Sequence, residues 1–242
     1  MPATSDSGHQ GDGASRQNGD TNGDSRPPVR TFKPRRRSLT PRRAEMFERL
    51  APIYTLADEG PTVDLDACFG RAANVVLDVG FGIADCLLAL AVAEPELDVI
   101  GVEVHTPGIA GALAGIEEHG LQNVRLVHGD ALQFVSRLPT ESLTGIRIFF
   151  PDPWPKARHH HRRLVRDDVV ARLVALLRPG GWLHLATDND DYAAQMQRVC
   201  DANSSLCGGP IARPARRPLT RYEQKAIEAG RSVIDFRYSR VS

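Results

Sequence analysis

Short apolar runs, each followed by a stretch of helical periodicity, recur along residues 74–203 and limit what this chain can fold into. Asn74–Val79, Asp98–Val102, Asn123–Val127, Gly145–Phe150 and Trp182–Ala186 have the length and composition of buried strands. Between and after them lie Ala84–Glu94, Pro107–His119, a short helix near Leu132–Arg137, Asp168–Arg178 and Asp190–Asn203. These carry apolar residues at helical spacing, and Pro107 suits a first turn. The alternation predicts an α/β fold: a mostly parallel, Rossmann-like sheet flanked by helices. Its ligand should sit at the carboxyl ends of the strands. No apolar run approaches the roughly 20 residues that cross a bilayer.

The formal net charge is zero, which taken alone argues against a nucleic-acid partner. Position overturns that inference. Residues 1–25 carry a net −3, residues 26–43 hold eight Arg or Lys and no acid, and residues 44–242 carry a net −5. Residues 1–31 hold very few apolar side chains among Gly, Ser, Asp and Asn, too few to offset the entropy of ordering them. The expected organisation is a disordered arm over 1–43, basic from 26 onward, and one domain over 44–242. Cys68, Cys86, Cys200 and Cys207 show no metal-ligand or C-x-x-C spacing and read as free thiols of a reducing compartment. The N-terminus has no apolar h-region, so a cytoplasmic protein is expected.

The first strand runs into Asp78-Val79-Gly80-Phe81-Gly82, where two glycines permit a sharp turn and close approach to a ligand. Glu103 ends the second strand, placed to accept from ribose hydroxyls, and Asp130 ends the third, within reach of an adenine amine. The third glycine of the dinucleotide pattern is missing, with Ala84-Asp85 in its place. An acid ahead of the first glycine suits a cation rather than a pyrophosphate. S-adenosylmethionine, an adenosine bearing a sulfonium and an ammonium, fits this pattern better than a dinucleotide.

The fourth strand ends in Phe149-Phe150-Pro151-Asp152-Pro153-Trp154-Pro155-Lys156, a stiff, aromatic tip around one acid. The indole would either stack on a base or pack under the loop. Lys156, Arg158, His159–His161, Arg162, Arg163 and Arg166 follow; beside a nucleotide site this run reads as a phosphate-contacting surface. The histidines have no acid or Cys companion, so no metal is expected.

These blocks, with Gly101-Val-Glu-Val-His105, Ala186-Thr-Asp188 and Arg217-Pro-Leu-Thr-Arg-Tyr-Glu223, resemble in content and order the bacterial tRNA (guanine-N7-)-methyltransferase family over roughly residues 31–242. The resemblance implies a class I methyltransferase fold, S-adenosylmethionine as cofactor, and methylation of guanine N7 in the variable loop of tRNA by a monomer or homodimer. It implies that Asp78, Gly80, Gly82, Glu103, Asp130 and Asp152 line the cofactor site, with Asp152 also catalytic. Lys156, Asp188, Thr220, Arg221, Tyr222 and Glu223 would contact the guanosine and nearby RNA. Asp188 has an alternative reading as a helix N-cap, and Glu223 as a surface acid. Three departures stand out: Asp78 where the family has Glu, Ala84 where it has Gly, and Tyr222 where Phe is commoner. The competing functions are a methyltransferase for another nucleobase or amine, and a non-catalytic RNA-binding module. An Asn/Asp-Pro-Pro-Tyr tip would favour the former, and lost strand-end acids the latter; neither is found.

Overall fold

The computed structural model describes residues 31–32 and 38–241. The expected disorder of residues 1–30, and Lys33–Arg37 of the basic segment, lie outside them. Among the described residues eight strands run in chain order as β1 (Thr55–Leu56), β2 (Asn74–Val79), β3 (Leu97–Glu103), β4 (Val124–His128), β5 (Leu143–Phe149), β6 (Leu177–Thr187), β7 (Leu206–Ile211) and β8 (Ile234–Arg240). The helices are α1 (Pro41–Tyr54), α2 (Leu65–Phe69), α3 (Asp85–Ala93), α4 (Thr106–His119), α5 (Ala131–Phe134), α6 (Asp167–Leu176), α7 (Asp190–Asp201) and α8 (Arg221–Glu228).

The strands form one sheet in the order β1-β4-β3-β2-β5-β6-β8-β7. All pairs from β1 to β6 are parallel, while β8 pairs antiparallel with both β6 and β7. The order reverses at β2, where β3 lies to one side and β5 to the other, and that switch point opens a crevice at the strands' carboxyl ends. The central strands are buried on both faces, which is why they read as continuous apolar runs.

One face packs Leu77, Ile100, Ile146, Leu183 and Phe236 against α6 and α7, through Leu173 and Met196 among others. On the other, Leu87 of α3 and Ile109, Leu113 and Ile116 of α4 close over Val99, Val124 and Leu126, with Leu50 of α1 beside them. Each fully buried large aliphatic side chain contributes about 1.5–3 kcal/mol. Helix α1 starts at Pro41, which its fixed φ favours, so Arg42 and Arg43 of the basic segment are helical and exposed.

Helix α6 stops at Leu176 and β6 begins at once. Leu177 pairs with Leu143, and the ladder resumes at Gly145–Trp182. Residues 178–181 therefore bulge out of the strand, turning at Gly180 (φ +75°), and the Pro-Gly-Gly sequence serves this bulge.

Candidate functional site

The crevice at the switch point is lined by the tips of β2, β3 and β5, the start of α5, and the first turn of α8. Beyond β2 the backbone enters the left-handed region at Gly80 (φ +71°), Gly82 (φ +65°) and Ala84 (φ +71°). At Ala84, where L side chains are disfavoured, this costs about 1–2 kcal/mol. The loop is held from across the sheet. Glu103 accepts from the Gly82 amide with one carboxylate oxygen (2.9 Å) and from the Val104 and His105 amides with the other (2.7 and 2.9 Å). Gly108 in the first turn of α4 lets the loop approach, since a Cβ there would lie 2.2 Å from the Gly82 carbonyl oxygen.

Asp78 is 2% exposed, lines the crevice, and accepts no hydrogen bond from any described residue. Burial pushes its carboxyl up from 3.8 to about 6, Arg147 draws it back, and Glu103 adds to the rise. A buried carboxylate without a partner, facing a cleft, is a receptor for a cation. Asp130 caps α5, one oxygen accepting from Leu132 N (2.8 Å), and also lines the crevice.

The tip of β5 supplies the other wall. Phe150 (φ +51°) and Trp154 (φ +43°) both sit in the left-handed region, so this turn is strained and must be held. The Phe150 amide donates to Ala186 O (2.8 Å). Arg163, 1% exposed, donates from Nε to Pro153 O (2.9 Å), reaches Gln195 and Asp191 on α7, and lies over the Tyr192 ring. It is part of the scaffold, unlike its exposed neighbours Lys156 and Arg158. Trp154 is 7% exposed and packs under the loop with Arg162 over its ring, and its indole N–H donates to Thr31 O (3.1 Å). Thr31 and Phe32 thereby line the crevice, which sequence reasoning missed because it assigned them to a disordered arm. Asp152 faces the crevice from the middle of this turn.

At the far wall, Thr220 caps α8 by accepting from Glu223 N (3.1 Å), and Thr220, Arg221 and Tyr222 face the crevice. Glu223 lies behind them, 2% exposed, gripped at both oxygens by Arg217 (2.5 and 2.9 Å). Arg217 also donates twice to Asp235 on β8 (2.8 and 2.9 Å) and spreads over the Phe149 and Phe150 rings. Burial alone would lower its pKa, but the two carboxylates outweigh that and keep it charged. His184 contacts Asp235 (2.8 Å), closing a buried network that ties α8, β6 and β8 to the strained tip. The signal for part of it lay in His184 and Asp235, polar residues amid strand-forming sequence; Arg217, in the run Pro214-Ala-Arg-Arg-Pro218, carried none.

Asp188 is outside the crevice lining and pairs with Arg231 (3.0 Å); the cap of α7 is Asn189, which accepts from Tyr192 N. Lys156 starts the 3-10 turn Ala157–Arg162, exposed and also outside the lining. All four cysteines are free, with Cys86 and Cys200 buried. No described helix is long and apolar enough to cross a membrane.

Residues 72–236 match a family model described as "Putative methyltransferase". A "tRNA (guanine-N(7)-)-methyltransferase" of Nitrosomonas eutropha is 40% identical over 222 residues, covering 90% of this chain and 99% of that protein. The protein of the same name from Thiobacillus denitrificans is 42% identical, covering 90% and 98%. That of Streptomyces avermitilis is 40% identical, covering 88% and 76%. Among solved structures, a 30S ribosomal A1408 methyltransferase from an uncultured bacterium superposes with a TM-score of 0.52 at 12% identity, covering 78% of this chain and 99% of that one. The aminoglycoside resistance methyltransferase NpmB1 gives 0.50 at 19% identity, covering 73% and 92%. At such identities these two speak for the fold alone.

Proposed function

The chain belongs to the tRNA (guanine-N(7)-)-methyltransferase family, and on that premise we propose that the crevice carries out methyl transfer to N7 of a variable-loop guanine through the residues around it. The methyl donor is S-adenosylmethionine, which supplies an electrophilic methyl on a positively charged sulfur. The observation that carries the assignment is the convergence of four carboxylates, Asp78, Glu103, Asp130 and Asp152, on one cleft.

The donor set fits this cofactor. Asp78, buried and unpaired, would face its positive charge. Glu103 holds the glycine loop against the ligand and has lone pairs left for ribose hydroxyls. Asp130 has one carboxylate oxygen beyond its cap to meet the adenine amine. Gly80 and Gly82 let the backbone approach closely, with no Cβ in the way.

Guanine N7 already presents a lone pair, so no proton has to leave before attack and the site needs no general base. What the chain must supply is alignment and charge. As the methyl arrives, positive charge grows on the purine. A carboxylate carried on a rigid turn stabilises it with little reorganisation, and Asp152 stands on such a turn, held at Phe150 and Pro153. Thr220, Arg221 and Tyr222 form the opposite wall, so the base would lie between α8 and the β5 tip. Lys156, Arg158 and the cations of the N-terminal segment would contact RNA phosphates outside it. Asp188 and Glu223 stand back from the lining. Glu223 would act by holding Arg217 and the α8 turn, and Asp188 would reach RNA at the rim.

The test is transfer of tritium from labelled S-adenosylmethionine to unmodified tRNA, with nucleoside analysis of the product. Asp152→Ala should lower turnover by about 10²-fold or more while its circular dichroism matches wild type. Turnover near the wild-type rate in that variant would refute the role given to Asp152. A labelled nucleoside other than 7-methylguanosine would favour the reading as a methyltransferase for another base.

A further inference from the structure

On the sheet face covered elsewhere by α3 and α4, a cluster of cations lies outside the lining of the crevice, starting from Arg147 beside Asp78 and running toward β8. Register places Arg147 of β5, His184 of β6 and Arg237 of β8 side by side on this face, with Trp182 two residues from His184. It is the same face, because Leu126, Gly101, Asp78 and Arg147 also align across β4, β3, β2 and β5, and Leu126 packs under α4. The Trp182 ring lies flat over Gly145, where a Cβ would come within 2.2 Å of it. The Arg237 guanidinium stacks on that ring at 3.9 Å, and Arg147 lies 5.6 Å from its centroid. Arg147 donates from one nitrogen to Glu94, whose other oxygen is 3.9 Å from Arg216.

Three guanidinium groups thus gather about Glu94, although Arg147 also feels the buried Asp78 beside it in the register. Arg147 is 3% exposed and its Nη1 is buried with no hydrogen-bond partner. The Arg237 guanidinium donates to no described residue. Its pKa is lowered by burial and by the like charges of Arg147 and Arg216, with Glu94 alone opposing them. Arg216 is 81% exposed at its side chain and marks the solvent side of the cluster. Cations that repel one another, one half-buried and one fully buried with an orphaned donor, are what an anion would relieve. Single solvated arginines would show neither feature.

We propose that Arg237, stacked on Trp182, together with Arg216 and backed by Arg147, forms a phosphate site that grips the RNA backbone outside the methylation cleft. The choice of RNA rests on the function proposed above. It is favoured by continuity, because Arg216 immediately precedes Arg217, which anchors the α8 wall of the crevice. An RNA whose guanine reaches that wall has more backbone on either side than the cleft can hold.

The experiment compares wild type with the Arg216→Ser/Arg237→Ser double variant, and with Arg237→Lys should the double variant fail to fold. Binding of tRNA is measured across 50–200 mM salt. The slope of log affinity against log salt should become shallower by roughly 0.7–0.9 in the double variant, the share of one phosphate contact. Arg237→Lys, which keeps the charge, should retain most of it. S-adenosylmethionine affinity and turnover at saturating tRNA should match wild type. In a second arm, inorganic phosphate at constant ionic strength should change Trp182 fluorescence in wild type and not in the double variant, with Trp182→Phe as control.

An unchanged salt slope in a folded variant overturns the proposal. So does a phosphate response without any change in tRNA binding, which would mark an anion site that RNA does not use. Tighter phosphate binding by a chain lacking residues 1–25 would assign the cluster to that acidic segment instead. Absence of methyl transfer by wild type itself would count against the proposed function, leaving tRNA binding and the phosphate arm to judge this site.

Discussion

Removing Arg217 should cost far more than removing Arg49, although each makes a two-pronged contact with one glutamate. Arg49 meets Glu117 at 2.6 and 3.0 Å, but their side chains are 56% and 47% exposed, so water replaces what is lost. Arg217 meets Glu223 at 2.5 and 2.9 Å and Asp235 at 2.8 and 2.9 Å, with all three side chains no more than 3% exposed. Arg217→Met leaves two carboxylates buried with one cation removed. Breaking a buried pair in this way costs about 3–5 kcal/mol. For a domain of this size each kcal/mol lowers Tm by about 2–4 °C, so the midpoint should fall by about 6–20 °C. Arg49→Met should leave it unmoved within error. Burial holds the His184 imidazole below its usual value, so the Arg217→Met deficit should shrink at low pH chiefly because the stranded carboxylates neutralise. Scanning calorimetry on both variants, at pH 7.5 and 5, reads all of this. A midpoint shift of Arg217→Met no larger than that of Arg49→Met would refute the premise that burial, rather than contact geometry, sets the value of these pairs.

Three further outcomes follow from the crevice. Asp78 is raised to about 6 from 3.8 by burial, so the folded, ligand-free protein holds this proton more tightly than the unfolded chain. The stability it contributes is complete below about pH 4 and is lost as pH rises through 6, so Asp78→Asn should stabilise the ligand-free protein at pH 7.5 and lose that advantage by pH 4. A cationic ligand prefers the ionised form, so S-adenosylmethionine should bind more weakly below pH 6 and release a proton on binding there. Calorimetry in two buffers of different ionisation enthalpy measures that release, and an affinity flat from pH 5 to 7.5 would contradict it. Gly108→Ala would put a Cβ 2.2 Å from the Gly82 carbonyl, so the glycine loop or α4 must shift. Cofactor affinity should fall by at least tenfold while the CD spectrum stays native, and unchanged affinity would show that the loop adapts freely.

The parallel core was legible because strands buried on both faces have to be apolar throughout. Asn74–Val79 was placed to the residue, and β3, β4 and β5 within two at either end. The antiparallel edge was not. Ile234, Phe236 and Tyr238 alternate with Asp235, Arg237 and Ser239, a period-two signal that was there to be read in β8. Strand β7, Leu-Cys-Gly-Gly-Pro-Ile, carries no such signal, because it forms only through its pairing with β8. At the crevice, the strand-end acids were visible as acids following apolar runs. The depth of Glu223 and Arg163 was not, since a charged residue looks the same in sequence whether solvated or buried against a partner. Arg163 belongs to the run that reads as a phosphate-contacting surface, yet it is 1% exposed. Trp154, for which stacking and packing stood open, is packed.

The position of β8 has a consequence for the order in which the molecule is made. Strand β7 pairs only with β8, and β8 lies between β7 and β6, so residues 206–211 have no sheet partner until residues 234–240 have been synthesised. Asp235 is on that late strand and is one of the two acids that hold Arg217. A ribosome moving from the N-terminus therefore releases the donor half of the crevice, on β2, β3 and β4, well before the base-facing wall at α8 has its anchor. At the usual 5–20 residues per second the interval from residue 128 to residue 240 is about 6–22 s. During that time a nascent chain has strands on which to hold a nucleoside, but no finished wall against which to place a guanine.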